Sequence, residues 1–368
     1  MSNTKSSSPV LVLGKRKMQA KPKILIHEHL DCSPEPVRML TRWDEIGFEK
    51  AKIAFPADVV TPWQEAKEAA GWDRRRLRTL AAARYQKFIA SYAQASLANY
   101  VQAIVDHVLP LMQTQDDLLA ITRDRIDTAV KDGIIGMELR FAPQLHTMGG
   151  LSLDEVMEPV IEGIATSPFP VKLIVCALRH EDRDMAFRLA DLSLRYRRHV
   201  GVFDLAADEE LNPGVLPWWI DAAEYVREKS RGRIDLTIHL TETRKPTATD
   251  IKLIAAHKIR RIGHGIKGDW GQYLEVCPTS NEVTGQVASY QEHPINRFLK
   301  EGKLVTVNTD GTLFTEVQLS DEYRKLQRAF GWGDREFLEV NLNAVAASSF
   351  SRAVKAQLRR KLREGYRG

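Results

Sequence analysis

Short apolar runs that end in polar residues recur along the chain and predict the strands of a parallel sheet. The first run, residues 24–26, contains two β-branched residues and predicts a short buried strand. Further runs predict strands at residues 134–141, 171–178, 200–205, 234–239, 260–263, 274–277 and 304–308. Segments of helical period lie between most of them, at residues 153–165, 183–197, 217–229 and 247–257. This alternation predicts an α/β fold in which eight parallel strands close a (β/α)8 TIM barrel.

Three stretches depart from a regular barrel. Residues 32–133 separate the first two strands and are too long for a loop, and the apolar period from Val101 to Val108 predicts a helix there. Residues 319–366 are predicted to be helical to the C-terminal end. Only residues 265–273 separate the sixth and seventh strands, fewer than a parallel crossover normally needs. We therefore expect extra helices after the first strand and at the C-terminus, and no helix between strands six and seven.

Composition indicates how the chain is divided into domains. Residues 1–21 are rich in serine and lysine and are predicted to be a disordered leader, with residues 22–368 forming a single domain. An apolar fraction of 43% is ample for a core of that size.

Charge and cysteine content narrow the partners and the compartment. The net charge of +5 is mild, and no basic stretch is interleaved with aromatic residues, so no nucleic-acid partner is predicted. No apolar run approaches the length of about 18 residues that a membrane span needs. Three scattered cysteines, an odd number, favour a reducing compartment, and we predict a cytoplasmic protein. The sequence does not indicate the oligomeric state.

Two histidines mark the end of the first strand. His27 and His29 are two residues apart, so their side chains point the same way and reach one point in space. An apolar strand that delivers two histidines at its carboxyl end is suited to hold a divalent metal above the mouth of a barrel. For these two residues alone, hydrogen bonds to nearby carbonyl groups are an equally good interpretation.

Polar residues also lie at the predicted carboxyl ends of three other strands. His239 ends one strand and Glu242 follows three residues later, His264 ends another, and Asp310 follows the last. In a barrel these ends share one face. Each residue alone is more often structural, for example as a helix cap. Together, three histidines and one aspartate suit one zinc ion per chain and leave a position for water.

Such a site predicts hydrolysis. Zinc lowers the pKa of its water to about 7, which makes hydroxide available at neutral pH. Attack on an aromatic ring carbon then needs a proton at the neighbouring ring nitrogen. Glu242 is placed to supply that proton and His264 to hold the hydroxide by a hydrogen bond. Glu138 and Arg140 lie on one face of the second strand, and we expect an ion pair between them inside the barrel.

Seven motifs, in order, resemble those of the adenosine/AMP deaminase family of the metal-dependent amidohydrolase superfamily. They are His-Glu-His-Leu-Asp (27–31), Met-Glu-Leu-Arg-Phe-Ala-Pro (137–143), Phe-Asp-Leu-Ala-Ala-Asp-Glu (203–209), His-Leu-Thr-Glu (239–242), Arg-Ile-Gly-His-Gly (261–265), Leu-Glu-Val-Cys-Pro-Thr-Ser-Asn (274–281) and Asn-Thr-Asp (308–310). The resemblance runs from about residue 22 to the C-terminus. The combination is highly specific, whereas the first motif alone is not.

The resemblance implies roles for individual residues of these motifs. It implies Glu242 as proton donor to the purine ring and His264 as the partner of the hydroxide. Contacts with the substrate would come from Asp31 at the sugar and from the backbone of Ala207 at the purine. The helices within residues 32–133 would include a lid over the pocket. The implied zinc ligands are His27, His29, His239 and Asp310, with His29 also facing the substrate.

Three positions depart from the family pattern. Gly311 stands where the family has a second aspartate that holds a purine nitrogen, and Cys32 and Ala207 stand where it has glycines. Loss of a carboxylate hydrogen bond to the base costs about 1.5–3 kcal/mol. We therefore expect a divergent member with a shifted substrate and intact metal chemistry.

These observations predict a zinc-dependent hydrolytic deaminase that releases ammonia from adenosine or a closely related 6-aminopurine nucleoside. Such an enzyme acts on C–N bonds of cyclic amidines, and its partner is a small purine nucleoside or nucleotide. Two alternatives stay open. One is a deaminase of a modified, extended or N6-substituted adenine compound, and the other is a catalytically silent nucleoside-binding protein on the same fold.

Overall fold

The computed structural model describes residues 13–211 and 215–367. Its strands are β1 (Lys23–Leu25), β2 (Ile134–Phe141), β3 (Val171–Leu178), β4 (Val200–Ala206), β5 (Asp235–Leu236), β6 (His239–Leu240), β7 (Arg261–His264), β8 (Tyr273–Val276) and β9 (Val305–Val307). Its α-helices are α1 (Lys15–Ala20), α2 (Pro36–Ile46), α3 (Ala57–Glu68), α4 (Gly71–Ala93), α5 (Leu97–Ala103), α6 (Gln115–Lys131), α7 (Leu153–Ala165), α8 (Arg183–Arg195), α9 (Leu216–Lys229), α10 (Ala248–Ala256), α11 (Pro278–Val283), α12 (Ile295–Lys300), α13 (Thr312–Thr315), α14 (Leu319–Phe330), α15 (Asp334–Ala347) and α16 (Arg352–Gly365).

The strands pair in parallel as a barrel. One sheet has the order β1–β2–β3–β4–β5 and the other β6–β7–β8–β9. Segments β5 and β6 belong to one stretch of chain, whose first half pairs with β4 and whose second half pairs with β7. A parallel bridge between Glu28 and Asp310 joins the chain after β9 to the chain after β1. The predicted (β/α)8 barrel is confirmed, with the strand expected at residues 234–239 divided in two.

The helices, strands and connections follow the hydrophobic pattern of the sequence closely. Strands β2 and β3 and helix α7 have the predicted bounds. The described residues between β7 and β8 contain no helix, which confirms the bare connection. Gly265, with φ of +70°, turns the chain directly after His264, and this turn makes so short a crossover possible. The C-terminal stretch forms three helices, α14, α15 and α16.

The expected disorder of the leader is wrong for residues 15–20. These residues form α1, in which Met18 is fully buried, and Lys15 forms an ion pair with Asp321 of α14 at 3.0 Å. The serine and lysine content suggested disorder. Composition alone does not reveal that one apolar side chain, Met18, packs into the core. Residues 1–12 of the predicted leader lie outside the described part of the chain.

The interior below the carboxyl ends of the strands holds a buried ion network. The expected pair between Glu138 and Arg140 is wrong, because each side chain reaches across the barrel to another strand. Arg140 bonds Asp204 at 3.0 Å and also pairs with Glu275, while Glu138 pairs with Arg261. All five side chains are fully buried. Mutual pairing offsets the cost of burying these charges and fixes the two carboxylates that face the histidines.

Among the residues that the structure describes, no helix is both long and apolar enough to cross a bilayer. The three cysteines, Cys32, Cys176 and Cys277, are buried and form no disulfide.

Candidate active site

The residues predicted from four strand ends converge above the barrel. Nitrogen atoms of His27, His239 and His264 lie within 4.8 Å of one another, and ligand atoms of His27, His29 and Asp310 do the same. Nε2 of His29 lies 3.1 Å from Nε2 of His239. Asp310 Oδ1 lies 3.5 Å from Nε2 of both His27 and His29. Residues more than 200 positions apart in sequence therefore meet at one point, as the strand-end argument predicts.

The inner carboxylates orient two of these rings. His27 Nδ1 donates to Glu275 at 2.9 Å, and His239 Nδ1 donates to Asp204 at 3.1 Å. Each ring consequently presents the lone pair of Nε2 to the centre, the arrangement found behind metal-bound histidines. His27 Nε2 is buried and has no hydrogen-bond partner in the described part of the chain. Buried nitrogen and carboxylate donors that converge without a protein partner fit a divalent metal ion.

Backbone hydrogen bonds hold Asp310 between His27 and His29. Its N–H donates to the carbonyl of His27 at 3.1 Å, and its carbonyl accepts from the N–H of His29 at 2.8 Å. Ser280 donates its hydroxyl to Asp310 Oδ2 at 2.6 Å, which leaves Oδ1 directed at the histidines. The spacing of the three residues is therefore fixed by backbone bonds as well as by side chains.

Strained backbone is concentrated around this point. Ala207, Thr241, His264 and Asp310 have φ of +77°, +57°, +57° and +65°. Such left-handed geometry costs non-glycine residues about 1–3 kcal/mol each and is often found at functional sites. His264 is the last residue of its strand and the other three follow strands at the carboxyl face of the barrel, so the strain turns the chain where the functional side chains leave the strands.

Glu242 lies beside the histidines with a buried carboxyl group. Its Oε2 is 3.5 Å from His264 Nε2, and its Oε1 is buried without a partner among the described residues. Burial, followed by the negative charge of Asp310, raises the pKa of Glu242 well above its usual value. A carboxyl group with a raised pKa holds its proton to higher pH than usual and is suited to act as a general acid.

Glu209 positions Glu242, a role that sequence reasoning missed. Its two carboxylate oxygens accept the N–H groups of Thr241, Glu242 and Thr243 at 2.8, 2.7 and 3.1 Å. The side chain of Glu209 is 1% exposed. The only signal in the sequence was its place at the end of the motif at residues 203–209.

A hydrogen-bond relay fixes the proton on His264, and sequence reasoning did not find it. The N–H of Ile295 donates to His293 Nδ1 at 3.1 Å, so His293 carries its proton on Nε2 and donates it to Asn281 Oδ1 at 3.2 Å. Asn281 Nδ2 then donates to His264 Nδ1 at 3.0 Å. Burial lowers the pKa of His293 to about 3, which keeps that ring neutral. His264 therefore presents a protonated Nε2 to the site.

Asp31 and Ala207 both line the cavity that opens above the histidines. Asp31 accepts the N–H of Ala142 at 3.1 Å and pairs with His146 Nε2 at 2.6 Å, so its carboxylate is held in place. The contacts of Asp31 and Ala207 with a substrate stay predictions.

The roof of the cavity is aliphatic. Leu97, Val101, Ile104 and Val105 follow helical spacing along α5 and the π-helical turn after it, and all face the cavity. The predicted helix around residues 101–108 is confirmed, although its second half has π geometry, which is frequent at functional sites. No lysine or arginine lies among the described residues that line the cavity.

The glycine at position 311 is required by its neighbours. A Cβ atom there would lie 2.0 Å from Tyr100 Oη and 2.6 Å from Cys32 Cβ. Cys32 and Gly311, two of the departures from the family pattern, thus lie next to each other and next to Tyr100. Burial raises the pKa of the Tyr100 hydroxyl well above its usual value.

Comparison with known proteins finds relatives along most of the chain. The family model for adenosine deaminase matches residues 79–365. An adenosine deaminase from Mycolicibacterium gilvum is 30% identical and covers 90% of this chain and 91% of the relative. The crystal structure of an Arabidopsis N6-mAMP deaminase is 23% identical, with a TM-score of 0.77 over 94% of this chain and 99% of that chain. A Burkholderia ambifaria amidohydrolase with bound Zn is 15% identical, with a TM-score of 0.73 over 99% and 94%. The two structures establish similarity of fold.

Proposed function

The chain belongs to the adenosine deaminase family of hydrolases, which act on C–N bonds of cyclic amidines, and we propose that it deaminates adenosine or a closely related 6-aminopurine nucleoside with the help of zinc. The observation that carries this proposal is the convergence of a complete nitrogen and carboxylate donor set with one buried carboxylic acid. A catalytically silent binding protein has no need of either, so the completeness of the set argues against that alternative.

Four residues would hold the metal: His27, His29, His239 and Asp310. Histidine nitrogen with one carboxylate oxygen is a donor set typical of catalytic zinc. The metal, when bound, lowers the pKa of water at the site so that hydroxide is available at neutral pH.

The chain's own side chains account for the remaining chemistry. Glu242 delivers a proton to the ring nitrogen beside the attacked carbon, and Glu209 keeps it in place through the backbone. His264 donates its Nε2 proton in a hydrogen bond to the attacking oxygen. Addition of one water molecule to the ring carbon and departure of the amino group give a 6-oxopurine and ammonia.

The proposal also covers the substrate contacts, the domain organisation and the cellular location. Asp31 would bind the sugar, while Ala207 and His29 would face the purine. The helices within residues 32–133 would form the lid of a single domain that spans residues 22–368. We also propose a cytoplasmic location.

The lining of the cavity predicts a preference for an uncharged substrate. A 5′-phosphate carries a charge of about −1.5 to −2, and among the described residues that line the cavity it would find no lysine or arginine to pair with. We expect kcat/KM for adenosine to exceed that for AMP by about 100-fold or more, measured as ammonia release at matched metal loading. 2′-Deoxyadenosine, which is also uncharged, serves as the control for the sugar. AMP turnover equal to that of adenosine would contradict this assignment.

A second candidate substrate is an adenine nucleoside with an apolar substituent. Leu97, Val101, Ile104 and Val105 form a roof that suits an alkyl group better than a polar one. An ammonia- or amine-release assay that includes N6-methyladenosine and apolar 5′-substituted adenosines distinguishes the two candidates. Clear preference for plain adenosine would remove the second.

The contacts of Glu209 predict a positioning effect. In the Glu209→Gln variant, one of the two acceptor oxygens becomes an NH2 group that faces the backbone N–H donors of residues 241–243, so Glu242 is displaced. We expect kcat to fall about tenfold or more while the metal content per chain stays unchanged. Glu210→Gln, a change of the same type at an exposed neighbour, should leave both values unchanged. If Glu209→Gln matched that control in kcat, the positioning role would be wrong.

A further inference from the structure

Positive charge is concentrated at the amino ends of the barrel strands, on the side opposite the histidine cluster. The turn after α8 carries Arg197 and Arg198, and it leads directly into β4. Helix α9 ends at Lys229, and the turn that follows carries Arg231 and Arg233 just before β5. All five residues are exposed.

The two turns form one groove. Its lining consists of Leu194, Arg197, Lys229, Ser230, Arg231 and Arg233. None of the four basic side chains in this lining pairs with a carboxylate of a described residue. By contrast, Arg195 and Arg227 in the last turns of the same two helices both pair with carboxylates. The groove therefore presents four uncompensated positive charges, which favour an anionic ligand.

Helix α16 extends the positive charge across the same side of the barrel. It contains six basic residues and one acidic residue, and none of the six pairs with a carboxylate in the described part of the chain. Leu358 and Leu362 are buried, which leaves the basic side chains on the outward side of the helix. Burial lowers the pKa of Lys355, and the positive charges of Arg260 and Arg359 lower it further. Like charges thus lie close together here.

The groove and α16 are parts of one surface. Lys172 donates to the carbonyl of Arg198 beside the groove. A Cβ atom at Gly201 would lie 3.3 Å from Cβ of Lys172 and 2.0 Å from Oγ of Ser349, shortly before α16 begins. We call the groove, Lys172, Arg198 and the outward side of α16 the basic face. Repulsion within such a face disfavours the folded state, and an anionic partner would relieve it.

The side chains of the basic face match phosphate better than a lipid surface. Most of them are arginines, whose planar fork binds two phosphate oxygens at once. Helices that lie on membranes insert apolar side chains, whereas none of the exposed large apolar side chains of the described residues belongs to the basic face. The sequence predicts no nucleic-acid partner because no basic stretch is interleaved with aromatic residues. Contacts with a phosphate backbone need no aromatic residue.

We propose that the basic face binds the phosphate backbone of nucleic acid without reading its sequence. The inference does not depend on the proposed function, because the basic face and the cavity lie at opposite ends of the barrel strands. Bound nucleic acid would therefore leave the mouth of the cavity open.

The test measures fluorescence anisotropy of a short labelled DNA duplex, and of the matching RNA duplex, with the full chain between about 50 and 200 mM salt. Each phosphate contact contributes about −0.9 to the slope of log K against log salt concentration. A variant that combines Arg197→Gln, Arg231→Gln and Arg233→Gln should bind about tenfold or more weakly at the low-salt end. Its slope should be smaller by about 2 to 3.

Two matched variants control for folding and for net charge. Lysine at the same three positions retains the charges and should retain most of the slope. Arg74→Gln, Arg75→Gln and Arg76→Gln together remove the same charge from exposed positions of α4, which packs with the cavity roof helix α5. This second variant should bind the duplexes like the wild type. Melting temperatures should not decrease in the triple variant of the groove, because it removes like charges that repel one another.

The outcomes separate the possible partners. Binding of either duplex with the expected loss in the triple variant of the groove would support the inference and identify the nucleic acid. Absence of duplex binding by the wild type at low salt would overturn it, and so would an equal loss in the α4 variant. Vesicles of phosphatidylcholine and phosphatidylserine serve as the lipid probe. Binding to these vesicles but to neither duplex would assign the basic face to a membrane surface and overturn the inference.

Discussion

The Glu242→Gln variant is expected to lose between about 10² and 10⁴ in kcat, the range that a positioned general acid contributes. Glutamine keeps the size and the place of the side chain but has no acidic proton to give to the purine ring. The backbone bonds from residues 241–243 to Glu209 are unaffected by this change. Metal content and KM should therefore stay within a few-fold of the wild-type values, so that the loss appears in kcat.

The pH dependence gives the same variant a second readout. Glu242 acts only while protonated, and its raised pKa extends the protonated range upward in pH. The wild-type kcat/KM should therefore persist to a higher pH than a carboxyl group of ordinary pKa would allow, and fall once the pH exceeds the pKa of Glu242. This decrease should be missing from the residual activity of Glu242→Gln. Turnover by the variant within a few-fold of the wild type would show that Glu242 is not the proton donor.

The Asp310→Asn variant is expected to lose bound metal and to reduce kcat/KM by about 10³ or more. Asparagine suits this position because, like aspartate, it tolerates the left-handed backbone at φ of +65°. The change thus removes the negative charge at 3.5 Å from His27 and His29 while it retains the backbone bonds to both residues. Metal per chain, measured by elemental analysis after dialysis, should fall well below one.

The control for this variant is Asp221→Asn on the surface, where the side chain is 58% exposed. Metal binding stabilises the folded state by mass action, so added zinc should raise the melting temperature of the wild type and of the control more than that of Asp310→Asn. If Asp310→Asn retained one metal per chain with full activity, Asp310 would not be a ligand.

The hydrophobic pattern predicted the architecture well because the barrel depends on local information. Each strand is a short apolar run, and each helix such as α7 has its own period and cap. The strand-end rule then brought His239, His264 and Asp310 together without any knowledge of contacts. The division of the fifth strand and the helix at residues 15–20 were missed because they depend on pairing and packing with distant residues.

The groups that support the site could not be predicted in this way. Glu209, Asn281 and His293 act through backbone or side-chain partners that only the folded chain brings within reach. The unusual residue at Gly311 was visible in the sequence. Its explanation was not, because Tyr100 lies more than 200 residues away and reaches Gly311 only after α5 packs over the barrel.

Ammonia release by the zinc-loaded protein tests the central claim most directly. The panel consists of adenosine, 2′-deoxyadenosine, AMP, adenine, N6-methyladenosine and apolar 5′-substituted adenosines, with methylamine also measured for the N6-methyl compound and Asp310→Asn as the blank. The account predicts turnover of at least one uncharged 6-aminopurine nucleoside by the wild type and almost none by the blank. No release from any compound, by protein that carries one metal per chain, would contradict the proposed deaminase activity.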